Sequence, residues 1–185
     1  AFYQCRGKLY AQSEKRGLYR IYITTDGKIK EQHLPGGKKF TGSRLAQLIP
    51  FQNNGLLVVT PMNGLFLMDE EKTIPFKTEV DEFLQENEVL NGTTTLSNDI
   101  ALATKRGGLI IISPSGSRKY IMNKSRGLRV NTVRHIFPDR DGNLWLSLNN
   151  GISKIEFSSP FSIYDDRFGL SGTILSIKRH QNRLY

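Results

Sequence analysis

The chain has 185 residues, 38% of them hydrophobic, with 17 glycines, 7 prolines and a formal charge of +9. Those values exclude a disordered polymer and leave room for one domain with a sizeable core, or for a piece of a larger domain. No run approaches the roughly eighteen apolar residues of a membrane-spanning helix. The single cysteine, Cys5, excludes an internal disulfide and a thiol-rich zinc site.

The chain opens on Ala1-Phe2-Tyr3-Gln4-Cys5-Arg6, without a methionine or a signal-peptide pattern, so the expectation is a segment of a longer protein whose export signal lies upstream. Apolar residues then come in short bursts punctuated by glycine, and one phrase recurs. Gly7-Lys8-Leu9-Tyr10-Ala11 leads to Gly17-Leu18-Tyr19, and Gly55-Leu56-Leu57-Val58-Val59-Thr60 leads to Gly64-Leu65-Phe66. Asn98-Asp99-Ile100-Ala101-Leu102-Ala103-Thr104 leads to Gly108-Leu109-Ile110, and Gly142-Asn143-Leu144-Trp145-Leu146-Ser147 leads to Gly151-Ile152-Ser153. A fifth copy begins at Asn182-Arg183-Leu184-Tyr185.

The marker glycines Gly17, Gly64, Gly108 and Gly151 lie 47, 44 and 43 residues apart. A period of about 40–45 residues holding several short strands is that of a propeller blade. Helical repeats would show apolar residues three and four apart, whereas Leu109–Ile112 and Ile152–Phe157 are read as the two-residue alternation of strands. The one helix-like stretch, Val80 to Leu90, reads as a connecting turn at most.

The predicted fold is therefore all-β, about four propeller blades of four-stranded antiparallel sheets. The repeats span approximately 1–44, 45–89, 90–129 and 130–172, with the start of a fifth at 173–185. In the fourth, the strands read Thr132–Pro138, Asn143–Leu148, Gly151–Phe157 and Phe161–Asp165, with Asp-Gly and Asn-Gly turns supplying the backbone that tight hairpins need. The opening glycine of each third strand marks a positive φ or a site where a side chain would clash. Ala1–Cys5 aligns with a first strand, as does Thr173–Ile177, so these blades are expected to form part of a larger ring.

The stretch Val130-Asn131-Thr132-Val133-Arg134-His135-Ile136-Phe137-Pro138-Asp139, through Asp141-Gly142-Asn143-Leu144-Trp145-Leu146 to Asn150-Gly151-Ile152, resembles the two-component regulator propeller repeat. Phe168-Gly169-Leu170 is similar to the phrase that precedes the next blade in that family. Departures are Trp145-Leu146-Ser147-Leu148 for the family's Trp-Ile-Gly-Thr, Gly151-Ile152 for Gly-Leu, and a tryptophan in one repeat of four. The resemblance implies a seven-bladed propeller in the periplasm, in the ligand-binding sensor half of hybrid histidine kinases and related triple-tyrosine-motif receptors. It also implies, as partners, the remaining blades, the downstream receptor domains and a second copy of the receptor.

The residues point to binding, with no catalytic set and no cofactor expected. Asp139-Arg140-Asp141-Gly142-Asn143 has its glycine two places too early for a calcium loop and reads as a hairpin turn. His33, His135 and His180 are scattered, so no metal is expected. Asp165 and Asp166 would point to opposite faces of a strand, and no Gly-x-Ser-x-Gly or phosphate-cradling loop occurs. Trp145 reads as core, where blades pack face to face. The intracellular alternative, a scaffold of the WD-repeat kind, would carry Trp-Asp and Gly-His phrases that are absent; a propeller glycosidase or lyase is a further alternative.

One propeller face gathers the second-to-third-strand loops and the blade-to-blade connections. Here these hold Lys15-Arg16, Met62-Asn63, Lys105-Arg106 and Asn149-Asn150, with Lys38, Lys39, Arg44, Arg126, Arg129 and Gly169–Gly172 in the connections. The candidate ligand-binding residues are Lys15, Arg16, Lys105, Arg106, Arg126, Arg129, Asn149 and Asn150. Paired Lys-Arg at equivalent positions suits carboxylate or sulfate groups. The resemblance, to a family linked with polysaccharide use, implies a small molecule or an oligosaccharide, neutral or acidic, as the ligand. Nucleic acid is not the expected partner, because the acidic run at 69–88 interrupts the continuous basic track it would need.

Overall fold

The computed structural model describes residues 1–52, 55–69, 71–157, 176–181 and 183–184. The first blade comprises β1 (Phe2–Cys5), β2 (Lys8–Ser13), β3 (Gly17–Ile23) and β4 (Ile29–His33). The second holds β5 (Gln47–Pro50), β6 (Leu56–Val59), β7 (Leu65–Met68) and β8 (Thr73–Phe76). The third holds β9 (Val89–Thr94), β10 (Ile100–Thr104), β11 (Leu109–Ile112) and β12 (Arg118–Met122). Each is a four-stranded antiparallel meander in chain order. The fourth blade shows β13 (Val133–Pro138), β14 (Leu144–Leu148) and β15 (Gly151–Ile155); the expected strand Phe161–Asp165 and the pair Asp165–Asp166 lie outside the described residues. Innermost strands of successive blades stand side by side, β1 to β5, β5 to β9 and β9 to β13, which makes the chain a row of β-propeller blades.

The core lies between the blades and is divided by the two-residue period of a strand. Ile100, Leu102, Ile110 and Ile112 pack toward the second blade with Leu57, Val59 and Leu65. Their neighbours Ala101, Ala103, Leu109 and Ile111 pack toward the fourth blade with Leu144, Leu146 and Leu148. Strands covered on both faces read as unbroken apolar runs, which explains why β10 and β11 show no alternation. Each fully buried aliphatic side chain contributes about 1.5–3 kcal/mol. The first interface joins Tyr10 and Leu18 to Leu48, Leu56 and Val58.

The four marker glycines all take positive φ, from +78° to +101°. At Gly108 a β-carbon would also lie 2.0 Å from the Met122 carbonyl oxygen, so both sequence readings of that glycine apply.

Three expectations need correction. Val80–Leu90 contains a helix, α1 (Asp81–Asn87), rather than a turn. Thr78 donates to Asp81 from its amide at 3.1 Å and its hydroxyl at 2.7 Å, and Val80 and Leu84 anchor the turn in the second interface. Trp145 is not core. It stands 41% exposed on the outward face of the fourth blade with Phe137 and Ile152, because alternation gives the covered face to Leu144, Leu146 and Leu148. In the fifth copy, the described residues of Thr173–Ile177 are not strand. Instead β16 (Arg179–His180) pairs with β17 (Arg183–Leu184), around a positive φ at Gln181.

Candidate functional site

Hydrogen bonds confirm that the second-to-third-strand turns share a face with the blade connections. Gly42 donates to the Glu14 carbonyl at 2.7 Å, Val89 to Pro61 at 2.7 Å, and Gly108 to Asn131 at 2.9 Å. The Thr132 hydroxyl reaches the Lys105 carbonyl at 2.8 Å. The rigid scaffold below holds these loops as a rim.

Three of the six candidate cations on this rim, Arg16, Lys105 and Arg106, are paired with carboxylates. In the β2–β3 turn, Lys15 is exposed, while Arg16 turns outward over the Tyr19 ring, 4.6 Å from its centroid, and pairs with Glu31 at 2.6 Å. That hydrogen bond holds the Glu31 carboxyl below its ordinary range. In the β10–β11 turn, Lys105 reaches Glu88 at 2.8 Å and Arg106 lies 3.6 Å from the same oxygen while donating to the Glu86 carbonyl. Glu88 sits at a positive φ of +53°, and its carboxyl is held down first by the Lys105 hydrogen bond and also by the charges of Arg106 and Arg44. Glu88 thus holds both cations of the β10–β11 turn.

The remaining candidates are more scattered. Arg126 ends a short 3-10 helix, Lys124–Arg126, and Arg129 follows in the same connection; both are exposed. Asn149 accepts from Arg134 Nε at 2.6 Å, and Asn150 is exposed in the adjacent turn. Sequence reasoning missed Glu31, Glu88 and Arg134, the groups that partner its candidates. No local signal marks them, since Glu31 and Glu88 lie 15 and 17 residues from their partners. Lys39, named only as a connection residue, places its ammonium 4.5 Å from the centre of the Phe66 ring.

The turn in the best-marked repeat is built around one carboxylate. Asp139 Oδ1 accepts from the amides of Asp141 at 3.0 Å and Asn143 at 2.8 Å. Its Oδ2 accepts from the Asn143 side chain and the Trp145 indole, each at 3.0 Å. Four donors on one carboxylate hold its pKa at about 2. The Asp–Gly-Asn-Leu-Trp phrase therefore closes the turn on itself through Asp139. Among the described residues, no three His, Cys, Asp or Glu side chains gather as a metal site, and no helix is long and apolar enough to cross a membrane.

The two component regulator propeller family model matches residues 127–150, the stretch that includes this turn. No curated protein matches the sequence. Among solved structures, an extracellular domain assigned to a one-component system of B. thetaiotaomicron superposes with a TM-score of 0.60 at 16% identity, covering 98% of this chain and 27% of that one. Another, assigned to a hybrid two-component system of the same organism, gives 0.53 at 21% identity, covering 83% and 19%. Virginiamycin B lyase from Staphylococcus aureus gives 0.54 at 18% identity, covering 83% and 53%. The chain thus spans about half the length of the lyase and about a quarter of the one-component ectodomain, and the likeness is one of fold.

Proposed function

We propose that this chain, which carries a two-component regulator propeller repeat at residues 127–150, is a non-catalytic ligand-sensing segment of a bacterial signal-transduction receptor. The repeat carries this reading, and the likeness of fold to two receptor ectodomains supports it. On this reading the segment works in the periplasm as part of an inner-membrane receptor. Further blades complete its ring, and downstream domains or a second receptor copy receive the signal.

The ligand we propose is an oligosaccharide with acidic groups, held at the rim of Lys15, Arg16, Lys105, Arg106, Arg126 and Arg129. Its carboxylates would take the places of Glu31 and Glu88 beside cations already gathered there. Exchange of one carboxylate for another keeps these exposed cations paired, which makes binding depend on shape as well as charge. Calorimetry on the complete ectodomain with neutral and uronic oligosaccharides, with single-stranded DNA as control, tests the assignment. Uronic oligosaccharides should bind, Lys105→Ala with Arg106→Ala should abolish binding, and Glu88→Gln should strengthen it. Unchanged affinity in the double variant, or binding of DNA alone, overturns the proposal.

A further inference from the structure

On the opposite face, between the third and fourth blades, lies a cleft of about 370 Å³ lined by Leu96, Asp99, Lys119, Tyr120, Asp141 and Phe157 among others. Two features show that it is more than the gap between two turns. In the fourth blade, the polar residue just before the second strand, Asn143, is satisfied inside its own turn by Asp139. In the third blade the equivalent turn is closed without its acid, since the Thr95 hydroxyl accepts the Asp99 amide at 3.1 Å. The Asp99 carboxylate, in a residue only 7% exposed, is left to face Lys119 on the outermost strand, with the ammonium 2.7 Å from Oδ1.

The second feature is a β-bulge. Pairing between β11 and β12 slips between Ile111 and Ile112, so that Arg118 and Tyr120 have partners and Lys119 is the extra residue. Adjacent strand residues normally point to opposite faces; the bulge brings Lys119 into the same cleft as Tyr120. Tyr120 and Phe157, 57% and 44% exposed, form an open aromatic wall with centroids 6.3 Å apart and planes at 49°. As a staple the Asp99–Lys119 pair contributes little, because burying the carboxylate costs about what the attraction returns.

The lining carries two carboxylates, Asp99 and Asp141, against one ammonium, Lys119, which Asp99 already holds at 2.7 Å. An anionic ligand would be repelled here, and a cation would meet only the exposed Asp141. The fixed ion pair still offers carboxylate lone pairs and unused ammonium protons side by side, next to apolar ring faces and Leu96. That combination matches a ring with hydroxyls along its edge and C–H groups on its face.

We infer that this cleft binds a neutral sugar ring or cyclic polyol, its hydroxyls bridging Asp99 and Lys119 and its C–H face lying on Tyr120 and Phe157. The inference stands independently of the cationic rim, which is on the other face. The test is saturation-transfer NMR and calorimetry on the 185-residue chain with glucose, galactose, cellobiose and myo-inositol, against glucuronate and choline, up to about 10 mM. At least one neutral probe should bind. Tyr120→Ser, a change at an exposed site, should weaken it about tenfold or more. The double variant Asp99→Asn with Lys119→Gln, which leaves no unpaired buried charge, should do the same with folding checked by circular dichroism. Lys105→Ala should leave it unchanged. Failure of all four neutral probes, binding of glucuronate or choline only, or full affinity in the Tyr120 variant overturns the inference.

Discussion

Leu146 and Trp145 are neighbours on β14 that face opposite ways, and truncating each in turn tests the two-faced reading of a blade. Leu146 is fully buried among Ala101, Ala103, Leu109 and Ile111 of the third blade. Leu146→Ala should cost about 2–5 kcal/mol from lost transfer energy plus the cavity. For a chain of this size each kcal/mol lowers Tm by about 2–4 °C, so the melt should fall by roughly 4–20 °C. Trp145 is 41% exposed, with Lys154 5.6 Å from its ring centre, and Trp145→Ala should cost about 1 kcal/mol in the 185-residue chain. In a longer protein whose next blade covers that face, the same change should cost about 3–5 kcal/mol. Thermal melts followed by circular dichroism on both proteins give the four numbers. Equal losses from the two substitutions in the 185-residue chain would refute the face assignment. An equally small loss from Trp145→Ala in the longer protein would refute the covering blade.

Acid should weaken the fourth blade through Asp139. Its folded pKa is depressed, so its contribution is present above the ordinary aspartate value of 3.8 and fades as pH falls toward about 2. Asp139→Asn should flatten the pH dependence of Tm in that window. Gly64→Ala meets nothing within 4 Å and should cost about 1–2 kcal/mol for its positive φ alone. Gly108→Ala adds the clash with Met122 and should cost about 1–3 kcal/mol more in urea unfolding. Asn91, which is buried, accepts the Ile136 amide at 3.0 Å across the third interface. Asn91→Ala should cost about 1–3 kcal/mol and accelerate hydrogen exchange at Ile136.

What was legible in the sequence is what depends on nearby residues. The glycine spacing reflects a turn that every blade repeats, and Asp139 through Trp145 form their bonds within seven positions of one another. The helix at Asp81–Asn87 escaped because seven residues give too little periodicity, and its anchors, Val80 and Leu84, are defined by the interface they enter. The exposure of Trp145 could not be read from its type, since burial there depends on which face a neighbouring blade covers. On the rim, the basic turns were visible, but their partners Glu31 and Glu88 are brought in by strand pairing and by the connection after α1. The acidic run at 69–88 looked like a separate patch, and its last member is the carboxylate on which the basic turn closes. Lys119 was silent for a different reason: the bulge that redirects it leaves no mark in the apolar pattern of β12.

The division of β10 and β11 between two interfaces fixes the order in which the molecule comes apart. The third blade is clamped on both sides, with Ile100 and Leu102 committed to one neighbour and Ala101 and Ala103 to the other. A one-residue slip would force large side chains into seats shaped for alanine, so the strand cannot creep under load. Under a protease or a pulling force, the first blade, with Ile23 and Ile29 bare on its outer surface, should give way before the third. Limited digestion should therefore strip residues 1–44 first and leave a resistant body centred on residues 89–122, whose amides exchange last.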